Sequence, residues 1–275
     1  MPLLRTEVLL HWMGVILYAG ACLAYALNLF FGRDRAQRWG FGLALAGLLP
    51  HGAGLLLRWT LSGHGPYMAR YEVLSSNAWV AVALFLAVSW RLPRLRPAGA
   101  VVMPVCFLSM TAGLFTDPGL RTLPPSLRSV WLVLHILFAK VGAGGILLSF
   151  GAGALLLLRE YRPEAAFAAR LPSSEILDDY SLRFAGFGFL FWSVMIAAGA
   201  IWANDSWGRY WAWDPIEVWS LLTWLAFGAY LHLRRFHGWK GRRAAWLVAA
   251  CFLLSMATLS VVPILTRGLH GEYFK

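Results

Sequence analysis

Charged residues are scarce in this sequence, and their scarcity excludes an ordinary soluble domain. Only 13% of the 275 residues are Asp, Glu, Lys or Arg, whereas 59% are hydrophobic and the mean hydropathy is +0.61. Soluble globular domains carry about 25% charged residues. The composition therefore predicts a membrane protein that crosses the bilayer several times.

Cysteine is also scarce, which argues against thiol–disulfide chemistry. Cys22, Cys106 and Cys251 all fall in apolar runs, and no Cys-x-x-Cys motif is present. We interpret the three as small apolar packing residues. The sequence also lacks an internal repeat, a low-complexity tract and any loop large enough to fold alone. These absences predict a single integral membrane domain over residues 1–275.

Long apolar runs, by contrast, are abundant. A membrane-spanning helix needs about 20 mainly apolar residues. Eight runs meet this requirement and predict an all-α membrane helix bundle, with spans at 8–31, 39–58, 73–91, 98–116, 129–158, 184–203, 215–234 and 244–266. The first four spans form an N-terminal group, 8–116, which is followed by residues 129–275. Because Met1 to Glu7 is short and mixed in charge, we expect a retained first span rather than a cleaved signal peptide.

The connection before the sixth span contains its own helix-start signal. Ser173 or Ser174 is a suitable N-cap, and acidic residues follow in the first turn. We expect a short surface helix there that leads into the span.

Positive charge is distributed unevenly over the loops. Fourteen Lys and Arg residues lie in 32–38, 91–97, 159–171 and 234–243, whereas eight lie in the alternate connections, namely Arg5, Arg58, Arg70, Arg121, Arg128, Arg209, Arg267 and Lys275. The positive-inside rule makes the first set cytoplasmic. Both termini and the connection between spans six and seven then face outward. The formal net charge of +11 is scattered over short loops, which indicates contact with membrane lipid rather than with nucleic acid.

The connection between spans six and seven is unusually aromatic. It reads Trp207-Gly208-Arg209-Tyr210-Trp211-Ala212-Trp213-Asp214-Pro215. One or two tryptophans would be typical of an interfacial belt. Three in one short connection favour a binding surface for a large planar ligand. The following Asp214-Pro215-Ile216-Glu217 predicts a capped helix start, so we expect a rigid platform rather than a floppy loop.

Two histidines are predicted to share the outer face with this aromatic segment. His135 lies near the outer end of span five, and His270 lies just beyond span eight. Imidazoles beside an aromatic surface suit the axial ligation of haem iron. Zinc would prefer four ligands, and simple interfacial packing is the remaining alternative.

Other polar residues lie deeper in the predicted spans. His232 is about 25 Å below the start of span seven, counted at 1.5 Å per residue, and so lies towards the cytoplasmic end. We expect His11 to be an ordinary interfacial residue and His51 to pack against a neighbouring helix. For Lys140 the sequence leaves a backbone carbonyl and a haem propionate open as partners.

A family resemblance emerges from these motifs. The run Trp207-Gly208-x-x-Trp211-x-Trp213-Asp214-Pro215-x-Glu217-x-Trp219 resembles the WWD signature of haem-handling membrane proteins. The wider pattern is similar to the CcsA (ResC) branch of the system II cytochrome c synthase, through Leu222-Thr223-Trp224-Leu225, Tyr230-Leu231-His232, Gly268-Leu269-His270, Arg58-Trp59, Gly63-His64 and Tyr71-Glu72. Ile216-Glu217-Val218 departs from the Lys-Glu-Thr that is common in that family.

The resemblance implies a function in cytochrome c biogenesis. Members take haem b from the cytoplasmic side and present it at the outer WWD surface, where thioether bonds form with the Cys-x-x-Cys-His motif of apocytochrome c. Such a chain is a haem lyase component of a bacterial cytoplasmic or thylakoid membrane, acting with a CcsB/ResB-like partner subunit. No particular catalytic residue is indicated.

The resemblance also implies roles for individual residues. The WWD residues that contact haem are Trp207, Gly208, Trp211, Trp213 and Asp214. His135 and His270 correspond to the two outer axial ligands. His232 corresponds to one of two membrane histidines, the other being supplied by the partner.

Three other functions fit the same sequence. A b-type membrane redox subunit that exchanges electrons with quinone would pair intramembrane histidines, for which His51 and His232 are available. A haem exporter of the system I type shares the WWD core. A transporter could use the tryptophan cluster to bind an amphipathic solute.

Overall fold

Eight long helical segments make up the computed structural model, which describes residues 2–266. The helices are α1 (Pro2–Phe31), α2 (Asp34–Ser62), α3 (Arg70–Arg91), α4 (Gly99–Leu114), α5 (Val130–Tyr161), α6 (Ser174–Trp207), α7 (Pro215–Phe236) and α8 (Gly241–Met256). A 3-10 turn, Pro93–Ala98, leads into α4. A π-helical turn, Ala257–Val261, and the short α9 (Val262–Leu265) extend α8.

Each of the eight segments is long and apolar enough to cross a membrane, and the described part of the chain contains no β-strand. The predicted all-α membrane bundle is therefore confirmed, and the chain is an integral membrane protein.

Several helices extend beyond the apolar runs that predicted them. The clearest case is α6, which begins at Ser174: the short helix expected to lead into span six is continuous with that span and forms its first turns. The side chain of Ser173 accepts a hydrogen bond from Ile176 N at 3.5 Å, as expected of an N-cap. Two acidic residues of this stretch, Asp178 and Asp179, are ion-paired. Arg234 of α7 donates to the Asp178 carboxylate at 2.6 Å.

Helix α5 is the centre of the bundle. It is the most buried of the spans and packs on α6, α8 and α3, whereas α7 is the least buried. The α5–α6 crossing is very close: a Cβ added at Gly188 would lie 3.0 Å from Ile146 N and 3.1 Å from Gly142 O. Small residues permit such close packing of membrane helices. The crossing fixes α5 against α6, which together carry much of the site described below.

A buried ionic cluster ties the N-terminal helices together. Arg58 is fully buried within α2, so its assignment to an outer loop was wrong. Its Nε donates to Glu72 Oε1 of α3 at 2.8 Å, and Nη1 lies 3.8 Å from Glu7 Oε2 of α1. The guanidinium also lies 4.6 Å from the centroid of the Tyr71 ring. Three helices thus meet at one buried cation.

Two histidines adjoin this cluster. His11 is fully buried between helices, a packing role that the sequence did not predict, and its ring centroid lies 5.3 Å from that of His51. His51 packs between helices as expected, with Nδ1 3.2 Å from the Tyr18 hydroxyl and Nε2 2.9 Å from Ser75 Oγ. His232 is instead exposed on α7. Because His51 is enclosed by α1 and α3, the histidine pair that would favour a b-type redox subunit has no support.

Candidate functional site

The tryptophan-rich connection is held in a defined shape by the helices on either side. Helix α6 ends at Trp207 because Gly208 adopts a left-handed conformation, φ +70°, and donates its N–H to Asn204 O at 2.9 Å. Glycine adopts this conformation without steric cost. The next helix, α7, begins at Pro215, as predicted.

The start of α7 is a complete capping box. Asp214 Oδ1 accepts from Ile216 N at 3.0 Å, while Glu217 Oε2 accepts from Ala212 N at 2.8 Å and from Asp214 N at 3.1 Å. The predicted N-cap is therefore confirmed. Glu217 adds a contact that the sequence did not reveal, because it also binds the backbone of the aromatic segment itself.

The three tryptophans of the segment have different surroundings. The Trp207 ring packs edge-on against Trp202 of α6, with centroids 4.8 Å apart. Trp211 is partly buried and contacts Trp213 edge-on at 6.0 Å. Trp213 is 70% exposed and has φ +59°, a left-handed conformation that costs a non-glycine residue about 1–2 kcal/mol. The three tryptophans that were expected to form one aromatic surface therefore differ in burial and in the rings that they contact.

A large pocket opens beside this segment. Its empty volume, including space open to the surroundings, is about 1220 Å³. The lining is mostly apolar and comes from α3, α5, α6, α7, the aromatic segment and the C-terminal turn. Residues that matter below are Tyr67, Asn77, His135, Lys140, Trp211 and Pro263. A few polar groups in an apolar cavity are typical of a site for a sizeable organic ligand.

Among residues 2–266, His135 is the histidine that lines this pocket. Its Nδ1 lies 2.8 Å from Met195 O of α6, and since a carbonyl can only accept, Nδ1 carries the proton. The lone pair is then on Nε2. The ring stacks at 6.3 Å on Trp202. Metal-ligating histidines commonly donate their other ring N–H to a backbone carbonyl, which fixes the ring's orientation. The geometry of His135 fits an axial ligand to iron.

Lys140 lies on the same pocket wall, five residues further along α5. Its Nζ donates to Ser76 Oγ at 2.7 Å and to Asn77 Oδ1 at 2.8 Å, both on α3. Within the described residues these side chains, rather than a backbone carbonyl, are its partners. That α3 would line the site was not predicted from the sequence.

The connections between α2 and α3 and between α4 and α5 are anchored close to the pocket. His64 has Nδ1 2.8 Å from Gly65 O and Nε2 2.9 Å from Arg121 O. Arg58 donates to Pro118 O and Gly119 O at 2.8 and 2.9 Å. Burial raises the pKa of the Tyr67 phenol in the neighbouring connection, with the Glu72 carboxylate acting in the same direction, so the phenol remains a neutral donor. These contacts fix the loop 115–129 beside the pocket.

The remaining predicted site residues lie elsewhere. His232 is exposed towards the far end of α7, with ring centroids 4.8 Å from Phe236 and 5.4 Å from His237. His270 lies outside the described residues, although Pro263, seven positions before it, lines the pocket. The structure therefore places His135 and Trp211 on one pocket. Trp213 contacts Trp211 but does not line the pocket, and His232 lies elsewhere on α7.

Comparisons with known proteins agree on one family. The model of a protein family described as "Cytochrome C assembly protein" matches residues 55–270 of this chain. Cytochrome c biogenesis protein CcsA of Synechococcus sp. (strain RCC307) is 35% identical, over 80% of this chain and 79% of that protein. The CcsA protein of Synechococcus sp. (strain CC9311) is 34% identical, over 94% and 97%.

The fold also resembles a solved structure. Cytochrome c haem lyase CcmF superimposes with a TM-score of 0.72 at 19% sequence identity, and the match covers 100% of this chain. It covers 49% of the CcmF chain, so this chain spans about half the length of that protein. At this identity the likeness establishes a shared fold.

Proposed function

The chain belongs to the cytochrome c assembly protein family, and we propose that it holds haem b beside His135 and presents it to apocytochrome c for covalent attachment. One observation carries the proposal: an imidazole with its Nδ1 proton held by Met195 O faces a mostly apolar pocket bordered by Trp211. That combination suits an iron ligand and the flat faces of a porphyrin. The name of the CcmF neighbour, a cytochrome c haem lyase, points to the same chemistry.

The reaction needs positioning more than acid–base chemistry. Each thiol of a Cys-x-x-Cys-His motif adds across a vinyl group: a C–S bond forms, the vinyl double bond becomes single, and the thiol hydrogen ends on the adjacent carbon. No external oxidant or reductant is consumed. The contribution of this chain is to hold the porphyrin with its vinyl edge accessible, which lowers the entropic part of the barrier.

Two further histidines complete the proposal. His270 is the second axial ligand, and His232 receives haem from the cytoplasmic side together with a histidine of a CcsB/ResB-like partner. In support, His232 is exposed on α7, the least buried span, where a second chain has access to it. The haem-handling part is residues 129–275. The aromatic segment and both termini face the outer side of a bacterial cytoplasmic or thylakoid membrane.

The ligand assignment is tested by spectroscopy of the protein purified with its partner. His135→Ala and His270→Ala should each lower the haem content, alter the low-spin absorbance spectrum and reduce covalent attachment to an added Cys-x-x-Cys-His peptide. His237→Ala, an exposed histidine in the loop after α7, is the matched control and should keep all three properties. An unchanged spectrum in both ligand variants would show that these residues do not bind the iron.

The relay role of His232 needs a different comparison. His232→Ala should reduce haem acquired during synthesis in the cell, while the purified variant still binds haem added from outside. Equal loss by both routes would indicate a folding defect instead of a broken relay.

A further inference from the structure

Lys140 is a basic side chain in the pocket wall and has no carboxylate partner among the described residues. Among residues 2–266, no carboxylate oxygen lies within 4.0 Å of its Nζ, which contacts only the neutral oxygens of Ser76 and Asn77. Ionisable side chains within membrane spans are costly, and those that occur usually serve a function. A charged group in this position therefore favours an anionic ligand.

Glu72, the acidic side chain on the same helix as Ser76 and Asn77, is already engaged elsewhere. Glu72 Oε1 accepts from Arg58 Nε at 2.8 Å, and Oε2 accepts from Met68 N at 2.8 Å and from Ala69 N at 3.3 Å. Both carboxylate oxygens thus serve the buried cluster and the start of α3. Glu217, the acid in the pocket lining, is engaged by Ala212 N and Asp214 N, so an anionic ligand in the pocket is left to balance an ammonium at position 140.

The donors of this group are oriented by its neighbours. An ammonium has three N–H donors, of which Ser76 and Asn77 take two. Because the Asn77 oxygen accepts from Lys140, the NH₂ end of the same amide points away from that bond. Both Lys140 and Asn77 line the pocket. The pair therefore offers a positive charge and an amide donor, a combination that suits a carboxylate.

We propose that Lys140 and Asn77 form the subsite for the propionate carboxylates of the bound porphyrin. This rests on the proposed function and goes beyond it by setting the orientation of the ligand. Lys140 lies about 7.5 Å further along α5 than His135, at 1.5 Å per residue, away from the helix start and the aromatic segment. Propionates held there direct the opposite edge of the macrocycle, which carries both vinyl groups, towards Trp211 and the aromatic segment.

The test uses porphyrins without iron, so that histidine ligation does not contribute. The detergent-solubilised full chain is titrated with protoporphyrin IX and with its dimethyl ester, followed by quenching of tryptophan fluorescence. The wild type should bind the free acid about tenfold to a hundredfold more tightly than the ester, the range for a hydrogen bond to a charged group. Lys140→Met and Lys140→Gln should bind both porphyrins with similar affinity.

Two further variants complete the experiment. Lys140→Arg retains the charge and should restore part of the preference for the acid. Lys240→Met removes an exposed lysine in the loop after α7 and should behave as the wild type. Because the preference is a ratio within one protein, a general loss of stability does not imitate the expected result.

Three results would overturn the subsite. If the wild type and Lys140→Met prefer the free acid equally, Lys140 does not bind the propionates. The proposal that the pocket binds porphyrin would still stand. Competition by oleate that depends on Lys140, with acid and ester porphyrins bound alike, would assign the group to a lipid carboxylate. If neither the wild type nor any variant binds either porphyrin, both the proposed function and the propionate subsite are contradicted.

Discussion

The imidazole of His135 occupies the space that a side chain at position 199 would need. A Cβ built on Gly199 would lie 2.6 Å from Nδ1 of His135 and 2.9 Å from its Cε1. The same Nδ1 hydrogen-bonds Met195 O, one turn earlier on α6. Helix α6 therefore both makes room for the ring and sets its tautomer. The missing side chain of Gly199 is part of what positions the candidate iron ligand.

Gly199→Ala should consequently displace His135 and weaken haem binding. Loss of the partner that orients a metal-ligating histidine typically costs about tenfold to a hundredfold in metal affinity. The measurement is haem affinity of the purified protein by absorbance titration. Gly186→Ala is the matched control, because a Cβ at this other glycine of α6 meets no heavy atom within 4 Å. Equal affinities in the two variants would contradict this role for Gly199.

The tryptophans of the aromatic segment should not contribute equally to haem retention. Trp211 lines the pocket, whereas Trp213 is 70% exposed. Trp211→Ala should lower haem affinity by roughly one to two orders of magnitude, since a buried aromatic contact is worth about 1–3 kcal/mol. Trp213→Ala should have a smaller effect, and Trp211→Phe should retain more binding than Trp211→Ala. Haem content after detergent washing measures all three, and a larger loss at position 213 would contradict the ordering.

The sequence predicted those features that depend on neighbours along the chain. Apolar runs located all eight spans, and local capping chemistry located the start of α7 at Asp214. It also indicated a helix start at Ser173 or Ser174, which the structure shows to be the start of α6. The length of α6 was not predictable in the same way. Its first turns carry Asp178, which no apolar window includes, and they are stabilised by Arg234 from another helix.

The sequence analysis did not predict features that form where three or more helices meet. Glu7, Arg58 and Glu72 come from three different spans, and each alone resembles a residue at a helix end. Asn77 had no signal at all, because its importance comes from Lys140 on α5. A single sequence shows which residues are unusual, but the partner of a buried polar group is decided by tertiary packing.

The buried Arg58–Glu72 pair should be far more sensitive to mutation than an exposed pair. Arg58→Met leaves Glu72 as an uncompensated buried charge and should lower the free energy of unfolding by about 3–5 kcal/mol. Arg183 pairs with Asp179 at 2.7 Å, but these side chains are 73% and 47% exposed. Arg183→Met should therefore cost less than about 1 kcal/mol. Denaturant unfolding in detergent measures both, and similar losses would contradict a buried ionic cluster in the N-terminal helices.

The two carboxylates at the start of α7 should protect different backbone amides. Glu217→Ala removes the acceptor for Ala212 N and Asp214 N, so hydrogen exchange should accelerate at these two positions of the aromatic segment. Asp214→Ala removes the acceptor for Ile216 N and should accelerate exchange there, with a loss of about 1 kcal/mol in helix stability. Asp214→Asn should be milder, because Asn also caps helices well.

The pattern across these variants separates platform rigidity from helix capping. If Glu217 holds the aromatic segment, Glu217→Ala should also lower haem affinity through Trp211, which directly precedes the released Ala212 amide. Asp214→Asn should leave that affinity close to the wild-type value. Faster exchange at Ile216 alone in both alanine variants would mean that the segment is ordered by its tryptophan packing, and that the capping box stabilises only α7.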